Sequence, residues 1–201
     1  MRATGVKNRV ERAALELFAG RGIDGVSIAE IASTAGISQG ALYRHYRSKE
    51  ELAAHLFSAA YRDMGAELAG LGQSACGFEG RIAAMVEHFC ALYDRDPALF
   101  RFMLLAQHNL LPAVGDDGAP VVAIEEVVAD AIAADELAPV DPTAAAAAIM
   151  GIVLQTALFH IYGRIEGPLV PRAPALARAA VAAVRALAEP TSGGIATDEG
   201  V

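Results

Sequence analysis

Between residues 38 and 49 the chain gathers side chains suited to reading a nucleic acid rather than to breaking bonds. Gln39 carries an amide that can pair bidentately with adenine, and the methyl of Ala41 can touch the methyl of thymine. Tyr43, His45 and Lys49, with the hydroxyl of Ser27, are better suited to phosphate oxygens, which fix position without reading sequence. Gly40 stands among them facing outward, and Arg44 is a further candidate contact.

These groups are useful only if short helices hold them on one face. Ser27 and Glu30 fit a capping box: the serine hydroxyl accepts from the amide of Glu30 and the glutamate reaches back to the amide of Ser27. Ile28, Ile31 and Ala32 then form an apolar stripe at helical spacing. Gly36 sits where the chain must turn sharply, and Ser38 is placed to cap the next helix. That helix is predicted over about 39–46, with Leu42 turned inward. A second capping box, Ser48 to Glu51, opens the following helix. The arrangement is a helix-turn-helix, and helix N-termini at Ser27 and Ser48 add amide donors for phosphates. A solvated helical hairpin is the competing reading of an isolated Ala-x-x-x-Gly pattern, but here the whole stretch 27–49 agrees from cap to cap.

From Val6 to Phe57 the chain resembles TetR-family transcriptional regulators. The resemblance starts with a helix from Arg9 to Gly22 and is most specific in the run Leu-Tyr-x-His-Tyr-x-Ser-Lys-Glu-x-Leu, Leu42 to Leu52. It implies that Ser27, Ser38, Gln39, Gly40, Ala41, Tyr43, His45 and Lys49 occupy DNA-contacting positions. Arg44 falls at a variable position, and Tyr46 stands where many members have phenylalanine.

The net charge of −8 argues at first against a polyanionic partner. Its distribution removes the objection, since residues 1–50 hold 8 Lys/Arg against 5 Asp/Glu while the remainder holds 8 against 19. Positive charge is thus concentrated where phosphate would be met. The N-terminal segment lacks the apolar core of a signal peptide, so a cytoplasmic, reduced protein is expected, with Cys76 and Cys90 unpaired and Cys90 in the core.

Alanine-rich runs at helical spacing dominate, and the predicted fold class is all-α with about nine helices. The expected organisation is a DNA-binding domain over 1–50, a connector helix over 48–71, a regulatory and dimerisation domain over 51–188, and a disordered tail over 189–201. Asp96–Pro97 and Asp141–Pro142 each read as a cap followed by proline at the first helical position. The run from Ala144 to Ile161 is apolar almost all round and approaches the length of a membrane span. Its alanine content, Gln155 and His160 favour instead a helix covered on several faces, and no membrane is expected as a partner. A homodimer is predicted through about 142–165 and 174–188.

Between the connector and the helices that follow, an apolar space is expected to take a small-molecule effector. Its candidate lining is Met64, Met85, His88, Phe89, Tyr93, Phe102, Met103, Gln107, Val128, Gln155 and Phe159, and any one of these can equally be plain core. The composition leans toward a neutral or cationic apolar ligand. No catalytic constellation, phosphate loop or metal-ligand spacing is present, so neither an enzyme, a cofactor nor a metal is expected; Asp116 and Asp117 are adjacent but lack further ligands. The leading expectation is a dimeric, ligand-responsive repressor of a palindromic double-stranded DNA operator. A DNA-binding protein whose body only dimerises or meets a protein is the alternative.

Overall fold

The computed structural model describes residues 2–74, 77–115 and 118–188. Its described residues form nine α-helices and no strand: α1 Arg2–Arg21, α2 Ile28–Ala35, α3 Gln39–Tyr43, α4 Lys49–Ser74, α5 Gly77–Arg95, α6 Pro97–Leu110, α7 Pro120–Ala133, α8 Pro142–Ile161 and α9 Ala173–Ala188. Short 3-10 turns occupy Leu111–Ala113 and Val170–Arg172. Cys76, the Asp116–Asp117 pair and the tail from 189 lie outside the described residues.

Local chemistry places the boundaries. The Ser27–Glu30 capping box is complete. Gly36 ends α2 at φ 68°, and the amide of Ile37 donates to the carbonyl of Ala32 at 3.0 Å. Asp96 accepts from the amide of Leu99 at 3.1 Å, and Asp141 from that of Thr143 at 3.1 Å, each ahead of a proline.

Several expectations need correction. Helix α1 starts at Arg2, well before Arg9, and α4 continues to Ser74. Helix α3 stops at Tyr43 rather than near residue 46, because Tyr46 turns its ring into the core. The Tyr46 hydroxyl donates to Glu11 Oε1 at 2.7 Å, and His55 Nε2 lies 3.1 Å from the same oxygen. Burial, then Glu11, pushes the Tyr46 phenol upward, so it remains a donor. Glu51 receives the first half of its capping box, donating its amide to Ser48 Oγ at 3.1 Å, but its carboxylate accepts from the amide of Arg47 at 2.6 Å.

Helices α1 to α3 and the start of α4 share a core around Phe18, Ile31, Leu42, Leu52 and Phe57. Helix α1 leans on α6, where Phe18 and Phe102 stack at 5.9 Å and Arg12 pairs with Asp96 at 2.6 Å. In the body, α4 packs against α7 and α5 against α9. Tyr93 and His160 Nδ1 meet at 2.8 Å, while His160 Nε2 lies 2.7 Å from the carbonyl of Gly167. That carbonyl can only accept, so Nε2 carries the proton and the Tyr93 hydroxyl donates to Nδ1. Buried Cys90 sits among these helices, its thiol pushed up to about 11 by burial and then by Asp94 and Glu87, which leaves it neutral and unreactive.

Helix α8 is apolar and long enough to cross a membrane by length and composition alone, with 28% of its apolar window buried. Its buried residues Ala145, Ala146, Ile149, Val153 and Ala157 face the body. Ala144, Ala147, Gly151, Gln155 and Phe159 are exposed on the other side. On α9, Ala180 and Val184 are buried, whereas Leu187 is exposed.

The crossing of α4 and α7 is unusually close. A Cβ on Gly65 would stand 1.9 Å from the carbonyl oxygen of Gly118, itself in the left-handed region at φ 70°. Backbone, not a yielding side chain, occupies that space. Gly65→Ala is therefore expected to destabilise the chain by about 1–3 kcal/mol, the usual cost of overpacking, read as a lower urea midpoint. An unchanged midpoint would show that the crossing can slide apart freely.

Candidate nucleic-acid interface and cavity

Three short features position the outward groups of the head. The hydroxyl of Ser38 accepts from the amide of Ala41 at 3.2 Å, which fixes the first turn of α3. Leu42 is fully buried beneath it. Ser38, Gln39 and Gly40 are exposed, Ala41 is half-buried, and Tyr43 is 52% exposed beside exposed Arg44 and His45. Nothing lies within 4 Å of a Cβ built on Gly40. No internal packing requires glycine there, and the position is open on its outer side.

Next to this face lies an open depression between the starts of α2 and α4. Ser27, Tyr43, Arg47, Ser48 and Lys49 line it, together with Glu30 and Glu50. Two helix N-termini and two cations around one concavity suit an oxyanion. Some of these donors are already engaged. The Ser27 amide donates to Glu30 Oε2 at 2.9 Å and its hydroxyl to the same oxygen at 2.8 Å. The donors left at that helix start are the amides after Ser27 rather than its own. Lys49 Nζ donates to the carbonyl of Asp24 at 3.3 Å, which aims the ammonium along the depression and leaves it further donor capacity.

Glu30 would repel phosphate if its charge were uncompensated. The Ser27 amide, the Ser27 hydroxyl and then Arg21, whose Nη1 lies 2.8 Å away, hold its carboxyl down to about 2. The carboxylate is thereby committed within the protein.

The body holds a partly open apolar cavity of about 80 Å³ among α4, α5, α6, α7 and α8. Of the residues expected to line it, Met64, Met85, Phe89, Met103 and Gln107 do so. The others lie elsewhere, each for a physical reason. His88 Nε2 meets Glu67 Oε2 at 2.8 Å outside the cavity, and the hydroxyl of Tyr93 is taken by His160. Phe102 points the other way, onto Phe18. Val128 is fully buried in the core away from the lining. Gln155 and Phe159 are on the exposed side of α8, because the cavity takes Ile149, Met150, Val153 and Leu154 from that helix. Sequence reasoning missed Met150 and the aromatic residues Phe57, Tyr61 and Phe100 of the lining. Their residue types carried the signal, but an apolar helix gives no phase by which to choose among them. Among the described residues no group of three or more His, Cys, Asp or Glu is placed to hold a metal ion.

Comparison with known proteins gives a sequence match at the N-terminal end and a fold match over most of the chain. Residues 12–56 match the family model described as bacterial regulatory proteins, tetR family. Over 46 residues the chain is 48% identical to the uncharacterized HTH-type transcriptional regulator YerO of Bacillus subtilis, a match spanning 23% of this chain and 16% of that protein. The fold extends the likeness to most of the chain. The fatty acid degradation regulator FadR from Bacillus halodurans superposes with a TM-score of 0.78 at 16% identity, covering 89% of this chain and 100% of that one. The transcriptional regulator FadR from Bacillus subtilis, solved in complex with stearoyl-CoA, gives 0.79 at 18% identity, covering 87% and 97%. The TetR family transcriptional regulator PfmR from Thermus thermophilus gives 0.68 at 16%, covering 94% and 98%.

The clamp on Glu30 has a pH signature. Its folded carboxyl lies at about 2 against an ordinary 4.5, so its contribution to stability is complete above about 4.5 and is lost as pH falls from there toward 2. Glu30→Gln stays neutral throughout. The melting temperature of the native chain should exceed that of the variant at pH 5, with the gap narrowing by pH 2.5. A gap independent of pH over that range would remove the charged clamp.

Proposed function

We propose that the chain, whose residues 12–56 match the model of the tetR family of bacterial regulatory proteins, is a DNA-binding regulator of that kind, a cytoplasmic, homodimeric repressor of a palindromic operator released by a small apolar effector. The observation that carries the reading is the exposed N-terminal face of α3 beside the two helix starts that line the depression. Gln39 and Ala41 read base edges, with Gly40 admitting close approach. Tyr43, Arg47 and Lys49 grip phosphates, as do the amides at the starts of α2 and α4. Ser27 and Ser38 hold those helix starts in place, and Arg44 and His45 extend the contact along the backbone.

Dimerisation is supported by the two last helices. Exposed Phe159, Tyr162 and Leu187 would be covered, and Ala144, Ala147 and Gly151 would let a partner helix approach. The interface proposed is 142–165 with 174–188, a four-helix contact across a two-fold axis. Two heads related by that axis read two half-sites one helical turn, or a multiple of it, apart. In domain terms, 1–50 is the reading head, α4 the connector, and the helices to residue 188 the regulatory body.

An effector is supported by the cavity, which distinguishes this reading from a body that only dimerises. That the B. subtilis FadR is solved with stearoyl-CoA supports a ligand carrying a long apolar chain in this architecture. Helix α6 places Phe100 and Met103 on the cavity and Phe102 against α1. A ligand favouring one position of α6 therefore shifts the head by differential affinity.

Selection of bound sequences from a random DNA pool tests the core of the proposal. It should return an inverted repeat, bound by a dimer. Lys49→Ala and Tyr43→Ala should weaken binding to every sequence, Lys49→Ala also lowering the salt slope by about one charge. Gln39→Ala should relax preference at one base position, at a cost of about 1–3 kcal/mol. Unchanged affinity in both Lys49 and Tyr43 variants would refute the phosphate contacts. The dimer face has its own measurement: Gly151→Arg should give monomers by light scattering and lose the inverted-repeat preference, whereas a dimer of unaltered mass would move the interface elsewhere.

A further inference from the structure

The sequence holds five methionines, and the four beyond Met1 all line the cavity: Met64 from α4, Met85 from α5, Met103 from α6 and Met150 from α8. Four different helices each contribute the same residue type to one space. Methionine is unbranched, with three rotatable bonds and a polarizable sulfur, so it repacks where leucine or isoleucine would resist. On the α7 and α8 side the wall also carries Ile124, Ile149 and Val153, which are stiff at χ1.

At about 80 Å³ the cavity is well below the roughly 300–1,000 Å³ of sites that enclose drug-sized ligands. A rigid ligand of that size does not enter without moving helices, whereas a flexible chain can thread in as methionine side chains rotate aside. The lining includes no Asp, Glu, Lys, Arg or His. Phe89 meets Phe100 edge to face at 4.5 Å, and Phe57 stacks on Tyr61 at 5.5 Å, so these rings already have aromatic partners. An ionised group inside would have no counter-ion and would be costly to bury. Polar groups enter the lining at half-buried Tyr61 and Gln107.

We propose that this cavity is an expandable site for an uncharged, flexible hydrocarbon chain whose neutral polar end lies at Gln107. The inference rests on the effector reading and narrows its ligand. It excludes the cationic class that composition alone left open. The methionines set the range of chain lengths accepted, and the stiff wall sets the direction in which the chain runs.

Calorimetric titration of the full chain with the 1-alkanols from hexanol to dodecanol tests it, with decanoate and decyltrimethylammonium as charged probes of matched chain. Affinity should rise about fourfold per methylene before levelling off, and decanol should bind at least tenfold more tightly than either ion. Met64→Leu with Met103→Leu keeps volume and apolarity while removing flexibility. The double variant should melt near the native temperature yet level off at a shorter alkanol. A flat series, equal binding of the ions, or a well-folded double variant with an unaltered limit would each overturn the proposal. Adding the same probes to the operator complex separates this proposal from the effector reading. Alkanols that bind with the expected series but leave DNA bound overturn the effector role and leave the ligand class standing. Release by a charged probe and not by alkanols does the reverse.

Discussion

Everything in the reading head depends on the burial of Leu42 and Tyr46 beneath a helix too short to persist alone. Helix α3 has five residues, far below the length at which an isolated helix survives in water. Its caps fix where it starts, but its orientation comes from Leu42, which is fully buried, and from the Tyr46 hydroxyl on Glu11. Glu11 belongs to α1, and α1 rests on α6 through the Phe18–Phe102 stack and the Arg12–Asp96 pair. The direction in which α3 presents Gln39 is thus set by a helix of the body. The exposed ion pair is a minor stabiliser. It matters for register, since Asp96 also caps α6 through the amide of Leu99.

The parts legible in the sequence were those governed by local chemistry. Ser27 with Glu30, Gly36, Asp96–Pro97 and Asp141–Pro142 act within a few residues of themselves, and each marks a boundary in the fold. The parts that were not legible depend on rotational phase and distant partners. Helix α8 is apolar on nearly every face, so nothing in its periodicity says that Met150 looks into the cavity while Gln155 and Phe159 look out. The run Phe100 to Leu105 has the same ambiguity, and Phe102 and Met103 take opposite assignments on neighbouring positions. His88 and Tyr93 find partners 21 and 67 residues away, at distances no spacing rule reaches. On apolar stripes a polar residue can be satisfied within the fold, as His88 and Tyr93 are, and need not face a ligand.

Glycine divides the connector into two kinds of contact. Upstream of Gly65, α4 presents large side chains such as Leu52 and Phe57 to the head. At Gly65 and again at Gly72 a Cβ would collide, with the backbone of Gly118 in one case and with Val127 and Met85 in the other. Interior glycines weaken a helix, so their presence indicates that close approach to α7 is worth more than helical propensity. The head end of α4 is therefore held through side chains that can re-pack, whereas at Gly65 the helix is held by backbone contact that cannot. Motion in α4 is then most easily accommodated toward the head, where re-packing is available.

The same asymmetry clarifies why α8 is apolar on two faces. Its inner face supplies Ile149, Met150 and Val153 to the cavity, while its outer face exposes Gly151 and Phe159. Adjacent positions on one helix thus belong to the cavity and to the proposed dimer contact. Displacement of Met150 by a chain is absorbed by its own rotamers as long as the chain is slender, and α8 keeps its place against a partner. A bulky, rigid occupant would instead push the helix and with it the interface. A flexible lining on α4, α5, α6 and α8 confines the response to side chains on the dimer side. In the proposed response α6 is the helix that joins cavity to head, since it carries Phe100 and Met103 on the cavity and Phe102 against Phe18 of α1.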